Sequence, residues 1–160
     1  MTDLLNKKQL SDAKRATFLF LKVRDRSEKE IRDRLLQKKI PNDVITETLN
    51  YFKKSNFVND RQFAKAWIRY RLAKPYGINR IRLELKEKGI QPDIIKEELV
   101  EASSNYAQEE TILGVIKKRW PRYKTQDPIK AKQKLYGYLA RRGFSLGAIK
   151  KALNLYDDSQ

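Results

Sequence analysis

The chain repeats itself, and that repetition restricts its architecture more than any other property of the sequence. SEKEIRDRLLQKKIPNDVITETL from Ser27, GINRIRLELKEKGIQPDIIKEEL from Gly77 and AKQKLYGYLARRGFSLGAIKKAL from Ala131 align without a gap. Ile31 matches Ile81 and Leu135, and Leu35 matches Leu85 and Leu139. Ile45 matches Ile95 and Ile149, and Leu49 matches Leu99 and Leu153. Such positions recur at three- and four-residue steps, the helical period that gathers apolar side chains on one face. A short break divides each copy: Lys39-Ile40, Gly89-Ile90 or Gly143-Phe144. Glycine suits the left-handed residue that closes a helix. Lys39 departs from that chemistry, so the first turn is expected to differ.

Each copy reads as a helix, a tight turn and a second helix. Each is preceded by one more apolar-periodic stretch, near 13–24, 60–74 and 109–120. Nothing reads as a strand. The expected fold is all-α: three tandem three-helix repeats, residues 1–56, 57–104 and 105–160, forming an elongated, curved helical protein. Start signals agree. Ser27 with Glu30 makes a capping box, in which hydroxyl and carboxylate each satisfy a free backbone N–H. Asn59 and Asp60 can cap the next helix, with Val58 as the staple residue, and Pro92-Asp93 and Asp127-Pro128 open others. A longer connection, 121–126, enters the last pair.

Charge narrows the function. Lys and Arg number 36 against 20 acidic residues, for a net charge of +16, whereas about 2–8 suffices to keep a small domain soluble. The surplus concentrates polyanions near the chain and favours phosphate contacts through counterion release. It is unevenly spread: +6 over 57–89, −5 over 90–110 and +9 over 111–160. Laid along a polyanionic filament, such a chain would turn basic surface to phosphates and its acidic stretch to a basic protein groove.

With no Cys and no His, disulfides, Cys/His zinc sites, thiol nucleophiles and histidine acid–base chemistry are excluded. Neither a signal-peptide core nor a run of about 20 apolar residues is present, so a cytoplasmic protein without membrane contact is expected. Catalysis is not. Glu84/Glu87 and Glu97/Glu98/Glu101 are dispersed, and read as surface residues in salt bridges, Glu84 with Arg80 and Lys88 one turn away. No GxxxxGK loop offers a phosphate cradle. No catalytic residue, metal site or cofactor is therefore assigned.

The candidate residues for partner or nucleic-acid contact are basic. Arg61, Lys65 and Arg69 lie four apart, followed by Arg71 and Lys74; Arg80, Arg82 and Lys86 form a second group. Lys117, Lys118 and Arg119, with Arg122 and Lys124, make the densest cluster, and Arg141, Arg142, Lys150 and Lys151 follow. Any one of them is ordinary on a solvated helix face; the surplus as a whole is not. If about 6–10 met phosphates, affinity would fall on the order of 10³–10⁵ between 50 and 200 mM salt. Among the aromatics, Trp67 shares a helical face with Phe63 and Tyr70 and reads as core. Trp120 reads equally as an anchor for the long connection, and Tyr76 as a residue packed over the helix junction or exposed at the turn.

These residues resemble the RecX family, the regulators of the RecA recombinase. Val58-Asn59-Asp60 followed by Phe63-Ala64 looks like that family's helix opening. Gly77-Ile78-Asn79-Arg80-Ile81, Glu84-Leu85 and Lys88-Gly89-Ile90 look like its central glycine-to-glycine motif. Arg26-Ser27 with Glu30 and Leu35, and Arg142-Gly143-Phe144 with Ile149, resemble the first and third modules, so the likeness covers roughly residues 12–156. It implies a protein of three-helix repeats that binds RecA, lies in the groove of its filament on DNA and mainly inhibits recombinase activity, ATP hydrolysis and filament extension. With that come effects on DNA repair and the SOS response, weak nonspecific contact with single- or double-stranded DNA, and a monomer. The alternative is a direct DNA-binding protein of helix-turn-helix type acting independently of RecA. Against it, the last helices of the first two repeats carry Glu47 and Glu97, Glu98 and Glu101, charges that a DNA groove repels.

Overall fold

The computed structural model describes residues 2–104, 106–123 and 127–158. Among them the chain forms nine α-helices and no strand: α1 (Thr2–Leu21), α2 (Glu28–Gln37), α3 (Asn42–Lys54), α4 (Asp60–Leu72), α5 (Ile78–Glu87), α6 (Pro92–Ser103), α7 (Gln108–Arg119), α8 (Pro128–Arg141) and α9 (Leu146–Asp158). A single 3-10 turn, Trp120–Tyr123, follows α7. No described helix is long and apolar enough to cross a membrane.

Two compact units result. The first contains the chain up to Ala66 together with Leu85–Ile94; the second contains Trp67–Glu84 and the chain from Ile95 onward. The first unit buries Ala13, Ile31, Leu35, Val44, Ile45, Leu49, Phe52 and Val58 as one core, with Leu10, Phe20, Leu21 and Ile40 packed around it. The second buries Ile112, Ile116, Leu135, Leu139, Phe144, Ile149, Ala152, Leu153 and Tyr156. Trp120 packs on Tyr156 at 5.4 Å between ring centroids, anchoring the connection it begins. All twelve matched apolar positions of the three copies are at most 8% exposed, so removal of the same side chains from water drives each repeat.

The three turns are alike as well. Ile40 N–H donates to Leu35 O (3.1 Å), Ile90 N–H to Leu85 O (3.0 Å) and Phe144 N–H to Leu139 O (3.3 Å), the long bond of a Schellman ending. The residue before each donor is left-handed: φ is 77° at Gly89, 86° at Gly143 and 59° at Lys39. Contrary to expectation, Lys39 reproduces the glycine conformation instead of changing the turn.

A second construction recurs. In the first unit the Ser27 hydroxyl, besides accepting from Glu30 N–H, donates to Lys88 O at 2.7 Å. In the second unit Gly77 N–H donates to Arg142 O (2.8 Å) and Asn79 N–H to Gly143 O (3.1 Å). Ser27 aligns with Gly77 and Lys88 with Arg142, so the start of one repeat's middle helix docks against the turn of the next repeat. There a side chain has no room. A β-carbon on Gly89 would lie 2.6 Å from Lys29 Cβ, and one on Gly143 would lie 2.3 Å from the Arg80 backbone nitrogen. Lys39, at the same turn of the first repeat, is exposed.

Several local expectations need correction. Helix α1 runs from Thr2 to Leu21 instead of 13–24: helix-favouring residues at its start carry it past the buried segment. On α4 the buried face is Phe63, Ala64 and Ile68. Trp67 is half-buried, its indole N–H turned to Glu84 at 2.9 Å, and Tyr70 is half-exposed at the edge of the face that Phe63, Ala64 and Ile68 define. Asn59 caps α4, accepting from Gln62 N–H at 3.1 Å. Asp60 instead accepts from Glu28 N–H at 2.8 Å, and its burial raises its pKa above the ordinary value. Glu84 and Glu98 are buried, 7% and 4% exposed, not surface residues.

Candidate nucleic-acid interface

Glu84 organises one side of the second unit. Its carboxylate accepts from Trp67 Nε1 (2.9 Å), Arg71 Nε (2.7 Å) and Arg80 Nε (3.0 Å). Three donors on one buried carboxylate keep its charge compensated, as a group withdrawn from water requires. Lys88, the other expected partner, turns to Glu30 in the first unit at 3.0 Å.

From this anchor guanidinium groups and rings alternate. Arg71 lies over Trp67 (4.9 Å) and Tyr76 (4.7 Å); Arg142 lies over Tyr76 (4.5 Å) and Tyr138 (5.1 Å); Arg119 lies over Tyr138 (3.6 Å). Each distance is within the range of cation–π attraction. Arg142 also donates to Pro75 O (2.9 Å) and to the Tyr138 hydroxyl (2.7 Å), and Tyr106 donates its hydroxyl proton to Tyr76 O (3.1 Å). Burial raises the pKa of that Tyr106 phenol, although a hydrogen bond with Thr111 opposes the shift. The strip ties α4, the turn before α5, α7 and α8 together with cationic groups where oil-like packing would be expected.

Each candidate cation can now be placed. Arg71, Arg119 and Arg142 are half-buried members of the strip. Arg69, Lys74, Arg80, Arg82, Lys117, Lys118, Arg122, Arg141, Lys150 and Lys151 are exposed on the second unit; Arg61, Lys65 and Lys86 are exposed on the first. Lys124 lies outside the described residues. Some exposed charges are engaged. Lys151 pairs with Glu109 at 2.7 Å. Lys74 donates to the Tyr70 hydroxyl at 2.6 Å, and that hydrogen bond, with the lysine charge, holds the Tyr70 phenol below its ordinary pKa.

The strip was not anticipated as a unit. Part of it had a sequence signal: Trp67–Arg71 and Tyr138–Arg142 each place an aromatic ring four residues before an arginine, the spacing at which helical side chains meet. The joining of these two pairs through Tyr76 depends on tertiary packing.

The fold and this surface define a class, the tandem three-helix-repeat protein with a basic, arginine-rich face. Family comparison resolves it further. The first, second and third three-helix domains of RecX match residues 13–52, 59–99 and 107–153. The "Regulatory protein RecX" of Mannheimia succiniciproducens is 34% identical over 125 residues, 78% of this chain and 80% of that protein. The protein of the same name from Clostridium botulinum (strain Eklund 17B / Type B) is 32% identical over 161 residues, 96% of this chain and 76% of its own length. The crystal structure of RecX from Lactobacillus salivarius superposes with a TM-score of 0.81 at 25% identity, covering 94% of this chain and 98% of that one. The chain belongs to the RecX family, a family of regulatory proteins.

Proposed function

We propose that this chain binds the RecA recombinase and its filament on DNA, and mainly inhibits recombinase activity, ATP hydrolysis and filament extension, with effects on DNA repair and the SOS response. It acts as a cytoplasmic monomer without a cofactor. The observation that carries the reading is the ordered arginine–aromatic strip in a unit that also bears exposed cations, on a chain of net charge +16 whose relatives are named regulatory proteins. Arg69, Lys74, Arg80, Arg82, Lys117, Lys118, Arg122, Arg141 and Lys150 are the proposed partner and phosphate contacts. Arg71, Arg119 and Arg142 are positioning residues that fix the helices bearing them. Contacts of this kind attract a phosphate backbone without reading bases, which suits a protein recruited to DNA through a filament.

The test adds the protein to RecA on single-stranded DNA with ATP, and titrates labelled DNA alone at two salt concentrations. The reading expects ATP hydrolysis to fall and DNA binding to be weak and strongly salt-dependent. Hydrolysis at an unchanged rate overturns it. Tight, sequence-dependent DNA binding with no effect on RecA would instead identify a direct DNA reader.

A further inference from the structure

A groove of about 380 Å³ lies on the first unit, lined by Asp12, Arg15, Ala16, Leu19, Phe20, Val23, Arg34 and Lys38. Its walls follow helical arithmetic. Asp12, Ala16 and Phe20 form one i,i+4 row along α1 and Arg15 and Leu19 the adjacent one, Val23 follows in the turn after α1, and Arg34 and Lys38 close the groove at the end of α2. Leu19 and Val23 are 56% and 76% exposed, so two aliphatic side chains stand in water beside a half-buried ring. Three cations against one carboxylate rim the opening.

We propose that this groove is a docking site for an acidic peptide segment of a partner protein, carrying bulky apolar side chains between its carboxylates. Leu19, Val23 and Phe20 would receive the apolar groups while Arg15, Arg34 and Lys38 pair with the flanking acids, the charge complementarity that selects such partners. The volume suits a few side chains, within the usual range for binding pockets. Nucleic acid fits this groove poorly. Base stacking needs an open ring, and Phe20 already carries the Arg26 guanidinium at 3.8 Å from its centroid, with Arg34 at 6.0 Å. The other apolar side chains, Ala16, Leu19 and Val23, are aliphatic and offer bases no stacking surface. This site is independent of the RecA reading and is scored by a different measurement.

The probe is a short fluorescein-labelled peptide of alternating glutamate and leucine closed by phenylalanine, followed by fluorescence anisotropy. Its controls are the same peptide with serine replacing the apolar residues, and a labelled oligothymidylate. Val23→Asp and Lys38→Glu alter exposed positions, and unchanged thermal melting would establish that both variants fold. The site predicts that the serine peptide binds about tenfold more weakly than the apolar one, and that each variant loses about tenfold for the apolar peptide. Oligothymidylate binding should be unchanged by Val23→Asp. Equal binding of the two peptides, variants that bind as the parent does, or no peptide binding at all overturns the proposal. Loss of oligothymidylate binding in Val23→Asp would assign the groove to nucleic acid and overturn it equally.

Discussion

Lys39 and Gly143 occupy the same turn position with opposite tolerances. A left-handed residue that bears a β-carbon costs roughly 1–2 kcal/mol, and Lys39 is held there at φ 59°. Lys39→Gly relieves that strain while adding freedom to the unfolded chain, so a net gain of about 0.5–1 kcal/mol is expected. Gly143→Ala imposes the strain and also drives a β-carbon to 2.3 Å from the Arg80 nitrogen, which should destabilise by about 2–4 kcal/mol. Urea midpoints of the two variants should therefore move in opposite directions. Both turn glycines were legible in the sequence, because the left-handed ending is a local demand. The role of Lys39 was not, since what frees that position is its exposure, which depends on tertiary packing. Glu84 shows the same limit: Arg80, one helical turn away, was an evident partner, whereas Arg71 and Trp67 come from another helix.

The start of α2 shows how a local signal acquires a tertiary load. Ser27 and Glu30 form the capping box that the sequence announces, with Ser27 N–H donating to the Glu30 carboxylate at 3.1 Å. Glu30 also receives Arg24 (2.8 Å) and Lys88 (3.0 Å). Burial pushes its carboxyl upward, but the hydrogen bonds from Arg24, Lys88 and Ser27 outweigh that effect and hold its pKa at about 2. A carboxyl lowered on folding adds stability that is complete above its unfolded value, about 4.3, and is lost as pH falls through the folded value. Glu30→Gln should therefore cost on the order of 1–2 kcal/mol at neutral pH, after allowance for solvent screening. The gap between parent and variant should close between about pH 4 and pH 2, as urea midpoints across that window would record. Helix existence was readable throughout because apolar periodicity is strong in every repeat. Helix ends and faces were less so: the start of α1 depends on propensity beyond the core, and the buried stripe of α4 depends on which neighbours it meets.

Across the molecule the charge is segregated, and segregation is a stronger constraint on partners than total charge. Residues 90–110 carry −5 between stretches of +6 and +9; were phosphate contact the only requirement, that acidic stretch would weaken it. Its presence fits the proposed filament partner, which would offer a basic protein surface as well as nucleic acid. Sequence made the segregation plain but not its geometry. Glu98 is buried within α6, whereas Glu97 and Glu101 are exposed, so of these three glutamates the latter two can present charge to a partner. Glu97→Lys combined with Glu101→Lys separates the two attractions. On naked DNA the added positive charge should raise affinity at low salt and steepen the fall of affinity with salt, by about 0.9 in the logarithmic slope for each new phosphate contact. On the RecA filament the same substitutions oppose the proposed basic groove, and affinity should drop about tenfold, chiefly at the association step. Anisotropy titrations of DNA alone and of RecA-coated DNA, run beside thermal melts of the variant, give both numbers. Opposite shifts on the two targets would show the acidic stretch facing protein; parallel gains would mean that the filament is recognised through its nucleic acid alone.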